Sequence, residues 1–361
     1  MNHKIFLTLV SLTATLAIPS PSLGQSQEEI PLKVVNYRIA QGTNSFGIPL
    51  LRPALWRGKI ASVSSSTRVI TDQDIKSSGP VLSQIPLEPA YLEITASALD
   101  PTLVGERFEL GVVQTRGALG TKGQIRLISS SYDTRPDVPA RLVGCSYEIH
   151  PHWTLSSFLG APDKAPLRRA KNIANADSAR IPSSTLPGKW DSFFILENKP
   201  NLGWRNALRP TGPDAGTEVI PPGTGLQVVI VAPNFTEKPL VLVGESRKHA
   251  FRRPLKAGEN LVSLGHSSPQ SLNSILANRD YGFQAGTSSF DSDEIRFRNH
   301  GRWEVLRYVQ GSLGVSGASW QCLTARYGGQ LEDLPLLPAN QAFWIQKVLP
   351  DTDFIIPPPP Q

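Results

Sequence analysis

The stretch Gly265-His266-Ser267-Ser268-Pro269 carries the residues of this sequence closest to catalytic chemistry. It follows the apolar run Asn260 to Leu264 and precedes a short helical pattern, and a serine on such a turn is the setting of a nucleophile elbow. The elbow needs small residues on both sides of the serine because its backbone is strained. Here Pro269 stands in the second of those places and supplies no N–H. The long helices that alternate with strands in hydrolases of that type are also missing. Ser267 is therefore carried as the candidate nucleophile of a secreted serine hydrolase, an alternative to a non-catalytic reading.

Two clusters could attract a metal. His150-Pro-His152 offers two imidazoles, but a proline interrupts them and no third ligand lies near in sequence, so a loop pair of unliganded histidines is expected. Asp291, Asp293 and Glu294 offer clustered oxygens to Ca²⁺, a hard cation that takes about six to eight of them. The segment lacks the glycine and the distal glutamate of a known calcium loop. Asp177 and Asp293 are equally explained as turn carboxylates that accept backbone N–H bonds. No metal or other cofactor is assigned, and a calcium-stabilised adhesin stays as a further alternative.

Seven tryptophans are present. Trp190 and Trp303 each follow a Gly-basic pair, Gly188-Lys189 and Gly301-Arg302, at apparent turns. They are the candidates for an exposed platform that stacks on sugar C–H groups, with packing of the core as the competing explanation. Cys145 and Cys322 are the two cysteines. They could form one disulfide in an oxidising compartment, worth roughly 5 kcal/mol in the chain-entropy picture, or stand as two separate thiols. Asn234-Phe235-Thr236 is a glycosylation sequon, meaningful only in a host that glycosylates exported proteins.

These side chains must be positioned by strands. The chain matches itself at an offset of 113 to 117 residues. Asn175-Ala-Asp177-Ser-Ala-Arg-Ile181 answers to Ser292-Asp293-Glu-Ile-Arg-Phe297, Gly188-Lys-Trp190 to Gly301-Arg-Trp303, Trp204 to Trp320, and Ile220 to Ile230 to Leu336 to Gln346. Two copies of one unit are expected, over 141–250 and 251–350. Runs such as Asp191 to Leu196 and Trp303 to Val309 read as strands. Thr154 to Leu159 and Pro269 to Ala277 read as one short helix per unit, each opened by a Ser or Thr cap. Residues 41–140 read as a separate antiparallel β module, with Lys59 to Val63, Arg68 to Thr71, Ala90 to Ala96, Arg107 to Val113 and Gly123 to Ile128 as strands. Gly42-Thr-Asn44 at its head matches Gly258-Glu-Asn260 at the head of the second unit.

Taken together, the Gly-x-Asn start, Gly58 to Val63, Tyr91 to Ile94, Gly105 to Leu110 and the repeated Ala/Ser-Asp, Trp and Pro-Gly landmarks are similar to an uncharacterised family of bacterial secreted β-rich proteins. That family is often associated with exosortase-type surface sorting. The resemblance implies an exported β protein covering most of residues 40–350 and lends no activity. The chain ends in prolines rather than the sorting helix that members often carry.

The composition agrees with this picture. Gly 29 and Pro 32 are too many for a helical bundle and suit a turn-rich β protein. With 36 Lys+Arg against 30 Asp+Glu and no long basic run, a nucleic-acid partner is disfavoured. Met1 to Lys4 and the apolar Ile5 to Ile18 read as a signal peptide over 1–24, cut after Gly24, giving a secreted or periplasmic protein. The apolar run falls short of the ~20 residues of a membrane span. The expected organisation is mainly β: a linker at 25–40, the N-terminal antiparallel module, two homologous β-rich repeats with short helices, and a proline-rich tail at 351–361. The expected function is a non-catalytic structural or binding component of the envelope or extracellular space, with a surface glycan or an envelope protein as partner.

Overall fold

In the computed structural model, residues 31–72, 88–110, 124–129, 133–184, 186, 188–197, 202–272, 274–275, 277–299, 301–310, 318–324, 335–349 and 352–358 are described. The expected signal peptide at 1–24 lies outside them. No helix among the described residues is long and apolar enough to cross a membrane.

The chain is mainly β, and every named strand pair is antiparallel. A first five-stranded sheet runs in the order Gly203–Asn206, Trp190–Leu196, Ser178–Pro182, Leu226–Ile230, Gly42–Phe46. A second runs Ala318–Cys322, Arg302–Gln310, Glu294–Asn299, Phe343–Lys347, Gly258–Val262. Strand for strand the two orders are the same. Each has a companion ribbon: Leu32–Ile39 pairs with Lys238–Ser246 for the first, and Phe251–Leu255 with Thr352–Ile356 for the second.

The same local chemistry opens both sheets. Gly42 (φ +88) and Gly258 (φ +87) take left-handed turns that a side chain would strain. Two residues on, Asn44 Nδ2 donates to the carbonyls of Ala40 (2.8 Å), Gly42 and Val228. Asn260 Nδ2 donates likewise to Lys256 (2.8 Å), Gly258 and Ile345. One amide thereby closes the turn and fastens the strand to its neighbour, which is what the Gly-x-Asn pattern accomplishes.

A six-stranded sheet is inserted into the chain between the first sheet's opening strand and its remainder. Its order is Arg107–Glu109, Ala90–Ala96, Ser146–Pro151, Trp56–Ser64, Val69–Asp72, Gln124–Arg126. Alternating residues such as Leu92, Ile94, Tyr147 and Ile149 supply its own core with Phe108 and Leu142. The two five-stranded sheets have cores of their own, around Phe46, Phe158, Trp204 and Val228 in one and Phe283, Phe297, Trp320 and Phe343 in the other.

The observed pairings redraw several expected boundaries. Gly42–Phe46, read with the module at 41–140, pairs with Leu226–Ile230 in the first sheet, and the inserted sheet continues to Pro151. The linker expected at 25–40 contains the strand Leu32–Ile39, because the alternation that buries Tyr37 and Ile39 is that of a half-buried strand. Within the expected tail, Thr352–Ile356 is a strand with Phe354 and Ile356 fully buried. The helix Leu155–Leu159 is capped by Thr154, which exchanges hydrogen bonds with Ser157. At the matching place Ser274 donates to Ser271 through both its N–H and its hydroxyl, but the described residues there form turns rather than a helix. So short a segment has little cooperative helix to gain, and packing of Leu272, Ile275 and Ala277 decides its path.

Candidate functional site

Where the two five-stranded sheets meet, their edges touch and leave a groove. Phe46 bridges Gln341, Gly47 N–H donates to the Asn340 carbonyl at 3.1 Å, and Ala342 N–H donates to Ser45 at 3.3 Å. Gly47 permits this approach, since a Cβ there would lie 2.9 Å from the Gln341 carbonyl oxygen. The groove encloses about 580 Å³.

Strand alternation decides which side chains face it. In Phe343–Lys347, residues 343, 345 and 347 are buried in the core, which turns Trp344 outward. Trp303 lies opposite Arg298 in the hairpin of Glu294–Asn299 with Arg302–Gln310. Its indole is 48% exposed and the Arg298 guanidinium sits 5.5 Å from the ring centroid. Trp190, from the first sheet, meets Trp344 edge to face at 5.6 Å. Trp190 is half-buried and braces the wall behind Trp344, while Trp303 and Trp344 line the groove itself. Asn36, Arg38 and Gln227 complete the opposite side. The lining thus combines indole faces, amides and two guanidiniums, with no carboxylate among the described residues. Arg38 has Glu237 at 3.4 Å, on the exposed side.

The other candidates lie elsewhere. Ser267 Oγ has the Ser246 hydroxyl at 3.0 Å and receives a hydrogen bond from the exposed Lys33 ammonium at 3.2 Å. Its neighbour His266 is buried, and burial together with the nearby charge of Arg247 pushes the imidazole down to about 3. That ring is neutral at physiological pH and makes no hydrogen bond to Ser267.

Asp291, Asp293 and Glu294 point to three separate sets of partners. Asp291 accepts from the backbone and hydroxyls of Thr287 and Ser288, and these bonds hold its carboxyl well below the usual range. Asp293 is fully buried, accepts from the N–H groups of Gln284 and Val348 at 2.8 Å each, and pairs with the Lys347 ammonium. Glu294 pairs with Arg296 at 2.9 Å and Arg307 at 2.7 Å. Among the described residues no group of three His, Cys, Asp or Glu is arranged to hold a metal ion.

His150 and His152 lie at the end of a strand of the inserted sheet rather than in an open loop. Both are buried, His150 between Glu148 (2.9 Å) and the Arg52 carbonyl (2.8 Å), and His152 against Glu109 (2.8 Å). The disulfide does not form: both thiols are free, Cys145 in the core of the inserted sheet and Cys322 on the outer strand of the second sheet. Cys322 Sγ lies 3.3 Å from Thr324 Oγ1. The two cysteines belong to different sheets with separate cores, which removes the geometry a bridge needs.

Trp344 and Arg298 are groove residues that the sequence reading passed over. The signal was available in the alternation of Phe343–Lys347 and in the distance of Arg298 from the hairpin turn. No family model, curated protein or solved structure matches this chain.

Proposed function

We propose that this chain is an exported, non-catalytic binding protein of the envelope or extracellular space, and that it takes an acidic carbohydrate chain in the groove between its two five-stranded sheets. The observation that carries the reading is the half-exposed Trp303 beside Arg298 and Trp344 in a 580 Å³ groove. An indole face suits the C–H face of a pyranose, as aromatic side chains bury large area at fixed geometry. Amides suit its hydroxyls. Arg38 and Arg298, with no carboxylate among the described lining residues, favour a uronic acid or another anionic sugar over a neutral one.

The matched sheets are read as two copies of one unit, of which the first has accepted the inserted sheet. Residues 1–24 are the export signal in this reading, and the likeness to secreted β-rich bacterial proteins supports it.

The test is titration of the purified protein with acidic and neutral polysaccharides, followed by tryptophan fluorescence and calorimetry. An acidic polymer is expected to bind, with Trp303→Ala weakening it by at least about tenfold, equivalent to some 1.4 kcal/mol. Equal binding by Trp303→Ala, or no binding across the panel, overturns the reading.

A further inference from the structure

A second cavity, of about 150 Å³, lies where the inserted sheet meets the loops below the two five-stranded sheets. Its lining includes Arg107, Arg253 and Lys256, with the hydroxyls of Ser183 and Thr224. The charge around it does not balance. Arg107 is 3% exposed and shares one fully buried carboxylate, Glu93, with Arg247. Arg247 holds the hydrogen bond to Glu93, while Arg107 reaches it only at 3.7 Å. Both guanidiniums lie over the Phe251 ring, at 5.1 and 4.9 Å from its centroid. The Nε and Nη1 of Arg107 make no hydrogen bond.

Arg253 is more exceptional. Its neighbour Arg252 pairs with Asp353 and Glu106, but Arg253 donates to the Gly223 carbonyl. Among the described residues no carboxylate lies within 4 Å of it. Two acids line the cavity, and both are engaged elsewhere. Asp133 is held by Arg68 and the Glu109 N–H at 2.8 Å each, and Glu259 faces Arg296 at 3.5 Å. Burial, reinforced by Arg107, pushes the Arg253 guanidinium down to about 9, so it still carries its proton at pH 7. Arg107 is buried with two unbonded nitrogens and Arg253 is half-buried without a counter-charge, which is costly, and the polar cavity beside them is where the compensating charge can sit.

We propose that this cavity is an anion site for a phosphate- or sulfate-type oxyanion, gripped by Arg253 and Arg107, with Lys256 at its mouth. The shared chemistry fits a free inorganic ion or the same group esterified on a sugar. The site is independent of the tryptophan groove, which it does not touch.

Thermal unfolding of the purified protein tests it, with inorganic phosphate and glucose 6-phosphate compared against sodium chloride of equal ionic strength. At a hundred times its Kd the anion is expected to raise Tm by about 4 °C. A rise with both ligands assigns the site to the esterified group as well, and a rise with phosphate alone assigns it to the free ion. Arg253→Gln is expected to abolish the rise. The Lys256→Gln variant, altered at an exposed position, is expected to fold normally and to bind phosphate about fivefold more weakly. No rise in the unaltered protein, an equal rise in Arg253→Gln, or unchanged affinity in Lys256→Gln overturns the proposal.

Discussion

Asp177 and Asp293 stand in different sheets and clamp the chain with the same backbone hydrogen bonds. Asp177 accepts from Arg168 N at 2.7 Å through one oxygen and from Val231 N at 2.9 Å through the other. Asp293 accepts from Gln284 N and Val348 N at 2.8 Å each. The difference between them is one side chain at the end of the adjoining strand, Ile230 in the first sheet and Lys347 in the second. Lys347 is fully buried over Phe283, and burial lowers its ammonium despite the pull of Asp293.

That comparison gives a mutational expectation. Lys347→Ile converts the second clamp to the form already present in the first and should change stability by less than about 1 kcal/mol. Asp293→Ala leaves the buried Lys347 ammonium with the Gly282 carbonyl at 2.9 Å but no counter-charge, strands two N–H groups as well, and should cost about 3–5 kcal/mol. Asp177→Ala strands N–H groups alone and should cost about 2–3 kcal/mol. Urea unfolding of the three variants checks the order. A larger loss for Lys347→Ile than for Asp177→Ala would sink it.

Glu148 ties stability to acid. Burial would raise its carboxyl, but His150 and Arg57 outweigh this and hold it down at about 2. A carboxyl depressed in the folded state contributes stability that is complete above its unfolded value near 4.5 and disappears as pH falls from there toward 2. The contribution is on the order of 2–3 kcal/mol for a side chain 17% exposed. Urea midpoints between pH 6 and 2.5 should fall in the unaltered protein, with a shallower fall in Glu148→Gln. Parallel profiles would refute the assignment.

The two thiols should be countable. Without denaturant a thiol reagent is expected to modify the half-buried Cys322 quickly and the buried Cys145 slowly, and both at once in denaturant. A reducing agent should leave Tm unchanged. A Tm drop on reduction would mean that a bridge exists after all.

Gly47 tests the junction that floors the groove. Gly47→Ala places a methyl against the Gln341 carbonyl and should cost about 1–3 kcal/mol, with weaker ligand binding as the two edges part. Gly258→Ala has open space around the added methyl and should show backbone strain alone, about 1 kcal/mol. Equal costs in a denaturation series would argue against a steric role for Gly47.

The β class and many of the strands were legible because alternation and turn residues are local signals. Asp177 with Asp293, Trp204 with Trp320, and Asn44 with Asn260 were picked out from spacing, and they occupy matching positions in the two sheets. Trp204 and Trp320 even donate to corresponding carbonyls, Gly160 and Ala277. The boundaries were not legible, because which strand Gly42–Phe46 joins depends on a partner far along the chain. The charge imbalance at Arg253 was equally hidden: an Arg252-Arg253 pair looks like solvated surface until the fold half-buries both and gives carboxylate partners to Arg252 alone among the described pairs.

The inserted sheet also sets a timetable. With it Asn44 and Val228 lie 184 positions apart, against 85 for Asn260 and Ile345 in the second sheet, so the opening strands leave the ribosome long before the strands they pair with. The insert can satisfy its own ladder in the meantime, whereas Leu32–Ile39 and Gly42–Phe46 must wait as open edges. Leu32 and Val34 remain exposed even in the finished protein. A chain stalled before Leu226 would carry two orphan strands and a ready template for association with its copies, which makes late synthesis the vulnerable stage in the production of this protein.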